Sequence, residues 1–564
     1  MLANASWATV SNQSRQLYIL AGVASILFIL GSTTLFLRSD DPARTLVTWP
    51  TTTSAKSKSR PVIEVEGINL GRPFTAPVSA SSVTDPLALL FDTVQSRFAK
   101  TMRDAGRPKP GYPTCSLNPS RYEHTALHPV TESHRWQRPG RTSVISIAIN
   151  LKDSEGVIPA QSLALLQAIA YLLTYNKVYI SIYENGSMDQ THALLSDFGA
   201  ALQALKVDGI FIHSSRMISD FGFNDRIVML SEIRNLALKP LMPFAETGTL
   251  IFINDVMMCA SDVLELVHQQ RLQQADMVFG MDWGTVHRKI RPGEPGYEPP
   301  LDPEDDDTYV YTNVTRVYDM WVGRGVNGDL VYPFKTPGGY TPMSANESWV
   351  SDAYITQSDA DHQRWLDGLP LPMYSGWGGM SAFAASLFTI EHLRFRSSVT
   401  SGWTGGHSGG ALGTWGQLMS APGYLEQDCP GASECKYVGR DIWNIRNGRA
   451  RIVMATQVRT TYSIDDWHIM IESADPAPTT LRTDFDKENV ELIDWSKVKA
   501  PEGVVCIPSR DKSGAYLDVW AEYNHRYRVD PMYKTPAELE EAASASATKS
   551  SESTGSVTIA TASP

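Results

Sequence analysis

Between residues 143 and 255 the chain alternates short apolar runs with stretches of helical spacing, and this alternation restricts the fold more than any other feature of the sequence. The runs are SVISIAINL (143–151), KVYISIYEN (177–185), DGIFIHS (208–214) and TLIFIND (249–255). They are rich in β-branched residues and largely lack the in–out alternation of a half-exposed strand, so they are expected to be strands covered on both faces. Residues 160–175 and 189–205 space their apolar side chains as helices do, and a further helix is expected around 228–238. Strands separated by helices in this way build βαβ units and a parallel sheet. Ligands bind such sheets at the carboxyl ends of the strands. The residues leaving those ends are therefore the candidates: Asn150, Glu184, Asp255, and Asp282 after the later run DMVFGMDW.

Several chemistries are missing. The first strand is not followed by G-x-G-x-x-G, and there is no phosphate-binding G-x-x-x-x-G-K-S/T loop, H-E-x-x-H or G-x-S-x-G motif. Lys and Arg number 49 against 61 Asp and Glu, a net charge of -12, which sets nucleic-acid partners aside. Cys115, Cys259, Cys429, Cys435 and Cys506 show no zinc spacing; in an oxidising lumen they allow up to two bridges, and Cys429 with Cys435 could close a small loop.

The ends carry a different message. Residues 17–37 form an uncharged apolar run of 21 residues between Arg15 and Arg38, long enough to span a bilayer and too long for a cleaved signal core. The expected organisation is a short tail (1–16), a transmembrane signal-anchor (17–37), a Pro/Ser/Thr-rich stem (38–140), one large α/β domain (141–535) and a disordered low-complexity tail (536–564). Within the stem, residues 85–100 have helical spacing and could pack on the domain. Arg38, Arg44 and Lys56 outnumber Arg15, so a simple positive-inside count places the large domain in the cytosol, although long domains translocate largely regardless of such charges. Sequons on both sides, including Asn4, Asn12, Asn185, Asn313 and Asn346, do not decide the side.

Each candidate has a functional reading and a plain one. Asp255, a carboxylate ending an apolar strand, is suited to hold a hard divalent cation against a diphosphate; otherwise it precedes a helix that Ser261 would cap more naturally. Asp282 is a second acidic group or a turn residue. Arg234, beside Asn235, could grip phosphate bidentately or pair with Glu232 at the surface. Asn150 and Glu184 touch a base or ribose, or simply form turns.

Taken together, the blocks SIYENGSMDQT, RIVMLSEIRNLALKPL, TLIFINDVMMCASDVLELV, MVFGMDW, YDMWVGRGVNGD, YSGWGGMSAF, SECKYVGRDIW and ARIVMATQVRTTY resemble the fungal cryptococcal-type α-1,3-mannosyltransferases, glycosyltransferase family 69, over about 143–462. The resemblance implies a GT-A-like (Rossmann-like) α/β domain behind a single-pass type II anchor. It also implies a Golgi lumenal location, a GDP-mannose donor with Mn²⁺ or Mg²⁺, and a cell-wall or capsule glycan as acceptor. Carried over by position, it gives Asp255 the metal role and sets Asn254, Arg234, Asn235 and Glu184 near the donor. Asp282, Tyr318 and Asp319 would line the cleft, with Trp377 against the acceptor sugar. Three blocks depart from the family pattern: Arg324–Gly325 stands for Arg-Asp, Ser375-Gly376-Trp377-Gly378-Gly379 for Ser-Cys-Trp-Asn-Gly, and Ala455-Thr456 for Asn-Pro. These leave two alternatives, a non-catalytic glycan-binding or assembly subunit and a transferase using another nucleotide sugar.

Overall fold

The computed structural model describes residues 64–66, 86–115, 117, 120–123, 143–214, 226–245, 248–289, 298–299, 311–317, 321–328, 330–331, 358–396, 432–472, 490–501, 503–506 and 528–531. The 17–37 run, Tyr318 and Asp319, the sequon at Asn346 and the 536–564 tail lie outside them. Among the described residues no helix is long and apolar enough to cross a membrane.

The expected runs are strands: β2 (Ser143–Leu151), β3 (Asn176–Glu184), β4 (Gly209–Ser214) and β5 (Thr249–Ile253), with the short β1 (Glu64–Glu66) beside β4. The order β1-β4-β3-β2-β5 is parallel throughout. Its crossovers are α2 (Ile158–Leu172), α3 (Thr191–Ala204) and α4 (Arg226–Leu238). Beyond β5 the expectation of a wholly parallel sheet fails. Helix α5 (Ala260–Leu272) leads to β6 (Met277–Lys289), but β6 does not pair with β5. The gap between them is filled by β10 (Met380–Ala384), antiparallel to both. The sheet continues through β11 (Ile452–Thr461), β9 (Leu371–Ser375) and β8 (Arg324–Gly325), while β7 (Tyr311–Val317) pairs with β6; β12 (Gly503–Cys506) and β13 (Arg528–Pro531) form a separate ribbon. An intruding strand from far along the chain leaves no local signal.

Side-chain alternation splits the core between the two faces of the sheet. Ile145, Ile147, Ile149, Ile180 and Ile251 point to one face, with helices α2, α3 and α5, and Ala148, Tyr183, Phe252 and Phe279 to the other. Helix α1 (Pro86–Asp104) joins the first face, burying Val94, Phe98 and Met102. The helix expected within the stem is thus part of the domain, which begins well before residue 141. Truncating a ring as buried as Phe98 ordinarily costs about 3–5 kcal/mol.

Candidate functional site

The carboxyl ends of β2, β3 and β5 meet the start of β10, and the register shows what lies together there. Phe252 of β5 and Phe279 of β6 both face Ser381 of β10. Asp255 and Asp282 each lie three residues further along their chains, on either side of the Trp377–Gly379 turn, whose Gly379 approaches Val256 and whose Gly378 approaches Gly280. The turn is seated closely. Asn254 N–H donates to Gly379 O (2.9 Å), and Thr460 Oγ1 donates to Gly378 O (3.1 Å). Gly378 has φ +55°, and a Cβ there would lie 1.9 Å from Gly280 O, so the close approach requires glycine.

Asp255 is half-buried at the mouth of this edge. It does not cap the next helix, and neither does Ser261. Cys259 is the N-cap of α5, and Asp262, in its first turn, accepts the Cys259 N–H at 2.6 Å. Capping that helix is therefore not the role of Asp255. Asp282 is buried, and Tyr462 O–H donates to its Oδ2 at 2.8 Å. Tyr462 was not singled out from the sequence, because the two residues meet only through β11–β6 pairing.

Arg234 sits differently from its expected place on a phosphate. It is only 4% exposed; Nε donates to Glu434 Oε1 (2.9 Å) and Nη1 to Asn254 Oδ1 (2.8 Å). Its partner is Glu434 of α7 (Glu434–Ile445), not Glu232. The guanidinium carbon lies 4.4 Å from the centre of the Trp377 ring, 5.1 Å from Phe252 and 5.4 Å from Phe395. Burial opposes the charge, but nearby Cys435 and Glu434, and Asp255 beyond them, raise the pKa and keep the group cationic. Trp377, 3% exposed, is therefore a cover for Arg234 rather than an open platform for a sugar ring. Asn235 uses both ends of its amide on one backbone: Nδ2 donates to Phe395 O (2.8 Å) and Oδ1 accepts Phe395 N–H (3.0 Å). Arg234, Asn235, Asn254 and Trp377 form the frame behind Asp255 in this structure.

Glu184, at the end of β3, is fully buried. Burial alone would raise its pKa, yet hydrogen bonds from Ser187 N–H (2.5 Å) and Ser214 O–H (2.5 Å), with His192 Nε2 at 2.8 Å, hold the carboxyl below its usual range. It ties the loop after β3 to β4. The side-chain oxygens of Asn150 and Asn185 are buried without a hydrogen-bond partner at the same strand ends, an arrangement that protein interiors rarely tolerate. Asn185, at 3% exposure, cannot carry a glycan on the folded chain.

The departures from the family pattern have packing counterparts. At Gly376 a Cβ would fall 2.0 Å from Cζ of Phe279, whose ring fills that space. Restoring the family residue, Gly376→Cys, is expected to destabilise the fold by about 1–3 kcal/mol through overpacking. Trimming the ring in Gly376→Cys/Phe279→Leu should recover part of that loss, and urea denaturation of both variants checks it. Gly325 lies buried in β8 opposite Met373. Ala455 and Thr456 occupy an irregularity of β11, where Thr456 O–H donates to Leu369 O at 3.2 Å.

A divalent cation fits Asp255 by donor chemistry: a hard carboxylate oxygen on a partly exposed side chain. Another group of metal-ligating side chains among the described residues, Glu265, His268 and Glu491, fits poorly. Arg121 fills that role, with Nε 2.6 Å and Nη2 2.5 Å from the two Glu265 oxygens and Nη1 3.2 Å from Glu491. A cation there would meet a guanidinium already neutralising the acids.

The family described as Cryptococcal mannosyltransferase 1 matches residues 144–408. The alpha-1,3-mannosyltransferase CMT1 of Cryptococcus neoformans var. neoformans serotype D is 24% identical over 536 residues, covering 91% of this chain and 93% of the relative. Among solved structures, S. aureus TarS 1-349 is 10% identical with a TM-score of 0.26, covering 58% of this chain and 63% of that one. GalNAc-T7 with UDP, GalNAc and Mn²⁺ is 10% identical with a TM-score of 0.29, covering 74% and 61%. The mannosyltransferase PcManGT from Pyrobaculum calidifontis, in complex with GDP-Man and Mn²⁺, is 11% identical with a TM-score of 0.19, covering 35% and 45%. This chain spans less than two thirds of the length of each of the three, and at these scores none carries an argument. The family match over residues 144–408 and the nearly full-length relative agree with each other and with the ordered motif blocks, and together they indicate a glycosyltransferase similar to the cryptococcal mannosyltransferases.

Proposed function

We propose that the protein is a retaining α-1,3-mannosyltransferase that moves mannose from GDP-mannose to a cell-wall or capsule glycan with the help of Mn²⁺ or Mg²⁺. In this reading its GT-A-like domain faces the Golgi lumen behind the 17–37 anchor. The observation that carries the reading is Asp255, half-buried where the parallel half of the sheet meets the antiparallel β10, within the matched 144–408 segment. The Cys115–Cys259 disulfide supports a lumenal domain, since such bridges persist in oxidising compartments. That evidence bears on the orientation that charge counting left open.

The chain's residues divide the labour as follows. Asp255 would hold the cation, which when bound neutralises negative charge on the departing diphosphate. Arg234 fixes Asn254, and Asn254 fixes the Gly379 turn, so Asp255 emerges from a rigid frame. The unpaired oxygens of Asn150 and Asn185 are acceptors suited to N–H or O–H groups of a nucleoside. Asp282, oriented by Tyr462, flanks the turn on the far side. Retention follows from making an α-linkage from an α-linked donor, and the leaving phosphate can receive the acceptor's proton. Of the three departures that motivated a non-catalytic reading, the one at Gly376–Gly378 has a packing explanation, which weakens it.

The test is turnover by the full-length protein with GDP-mannose, UDP-galactose and UDP-xylose, each with Mn²⁺ and with chelator. Metal-dependent turnover of GDP-mannose alone is expected. Turnover of a UDP-sugar instead would replace the donor assignment, and no metal-dependent turnover of any would overturn both the donor and the metal assignments.

A further inference from the structure

Residues 107–115 belong to the segment read from the sequence as stem, yet they cross the rim of the candidate site as a strap. Arg107 pairs with Glu155 in the loop after β2, Nε to Oε1 at 2.9 Å. Gly111 is pressed on Ile464, at the start of helix α8 (Ile464–Glu472) after β11; a Cβ would lie 2.7 Å from its Cγ1. Tyr112 packs with Val157, Ala160 and Met257. Its hydroxyl is buried without a partner, and burial pushes its pKa up to about 12. Cys115 closes the disulfide with Cys259. The strap therefore touches the loops after β2, β5 and β11.

The loop it grips most firmly is 255–259, the one that bears Asp255. Val256, Met257, Met258 and Cys259 are all buried, and only Asp255 is partly open. Gln161 Nε2 donates to Asn254 O (2.6 Å) and Val256 O (3.0 Å) on the inner side. Met257 exchanges backbone hydrogen bonds with Thr461 (2.7 and 3.1 Å). Inner bonds of this kind set where the loop begins. Its outer side and its end, at Met257 and Cys259, are held by Tyr112 and Cys115.

We infer that the 107–115 strap is a positioning element, which through Tyr112 and the Cys115–Cys259 bridge sets where the Asp255 carboxylate stands relative to the donor. The inference rests on the reading of Asp255 as the metal–diphosphate ligand. Misplacing a reacting or metal-binding group by about 1 Å can cost about 100-fold, so a modest shift of this loop is measurable.

The test compares full-length wild type, Cys115→Ser, Cys259→Ser, the double serine variant, Tyr112→Ala and Asp255→Ala, measuring KM for GDP-mannose and for Mn²⁺ separately from kcat. Each serine variant is expected to raise both KM values by about tenfold or more, with kcat at saturation within about threefold of wild type. The double variant should match the singles, because either substitution removes the same bond. KM values within about twofold of wild type, with Asp255→Ala inactive, would overturn the positioning role and leave the Asp255 reading intact. An active Asp255→Ala would overturn both. If the serine variants do not fold, Tyr112→Ala decides: it keeps the disulfide, a rise in both KM values supports the strap, and unchanged values overturn it.

Discussion

Asp255→Ala is expected to lower metal-dependent sugar transfer by about a thousandfold, equivalent to about 4 kcal/mol of lost transition-state stabilisation, while leaving the chain folded. The expectation of a folded variant comes from the anchors around Asp255 that do not use its carboxylate. Helix α5 has its own cap in Cys259 and Asp262, the loop is anchored by Gln161 and by the Met257–Thr461 bonds, and the adjacent Asn254 holds the Gly379 turn through its backbone. Losing the carboxylate removes one attraction on Arg234 but leaves Glu434 in place. Asp255→Asn keeps the shape and one oxygen but loses the charge, and should be nearly as inactive if charge neutralisation of the diphosphate is the point. Initial rates across a Mn²⁺ titration, beside a thermal melt of each variant, check this. Wild-type rates in either variant would remove Asp255 from the metal site.

Glu434→Ala is expected to produce the largest loss of stability at the site, about 3–5 kcal/mol. The substitution leaves the Arg234 guanidinium enclosed by Trp377, Phe252 and Phe395, still donating to Asn254 Oδ1 but without the Glu434 carboxylate. A buried charge deprived of its counter-charge costs far more than the pair contributes when intact. For that reason Arg234→Met/Glu434→Ala should be less destabilised than Glu434→Ala alone, a sign reversal that simple loss of packing does not produce. Urea unfolding of the two variants and of Arg234→Met gives the cycle. A loss in the double variant equal to the sum of the two single losses would show that the pair is not coupled. If Arg234 instead met solvent and phosphate, Glu434→Ala would have little effect on stability.

The parallel half of the sheet was legible because it is local. SVISIAINL, KVYISIYEN, DGIFIHS and TLIFIND each contain enough apolar, β-branched residues to require cover on both faces, and the helices that supply it follow directly in the chain. Asp255 was legible for the same reason: it ends one of those runs. The family blocks were legible as ordered words. What these residues do to one another was not. Trp377 looked like a sugar platform until Arg234 was found lying on its ring, and Arg234 looked like a phosphate ligand until Glu434, 200 residues later, was found against it.

By itself, then, the sequence determined the alternation of strands and helices, the resemblance to the cryptococcal mannosyltransferases and the carboxylate at the end of β5. Each depends on neighbours within a few residues or on a pattern repeated along the chain. The tertiary structure decided that β10 enters antiparallel between β5 and β6, that Phe279 fills the space at Gly376, that Tyr462 meets Asp282, and that the strap is bolted to the Asp255 loop through Cys115 and Cys259. Those relations join residues far apart in the chain. Burial and close packing choose their partners from the whole molecule, and no local pattern records the choice.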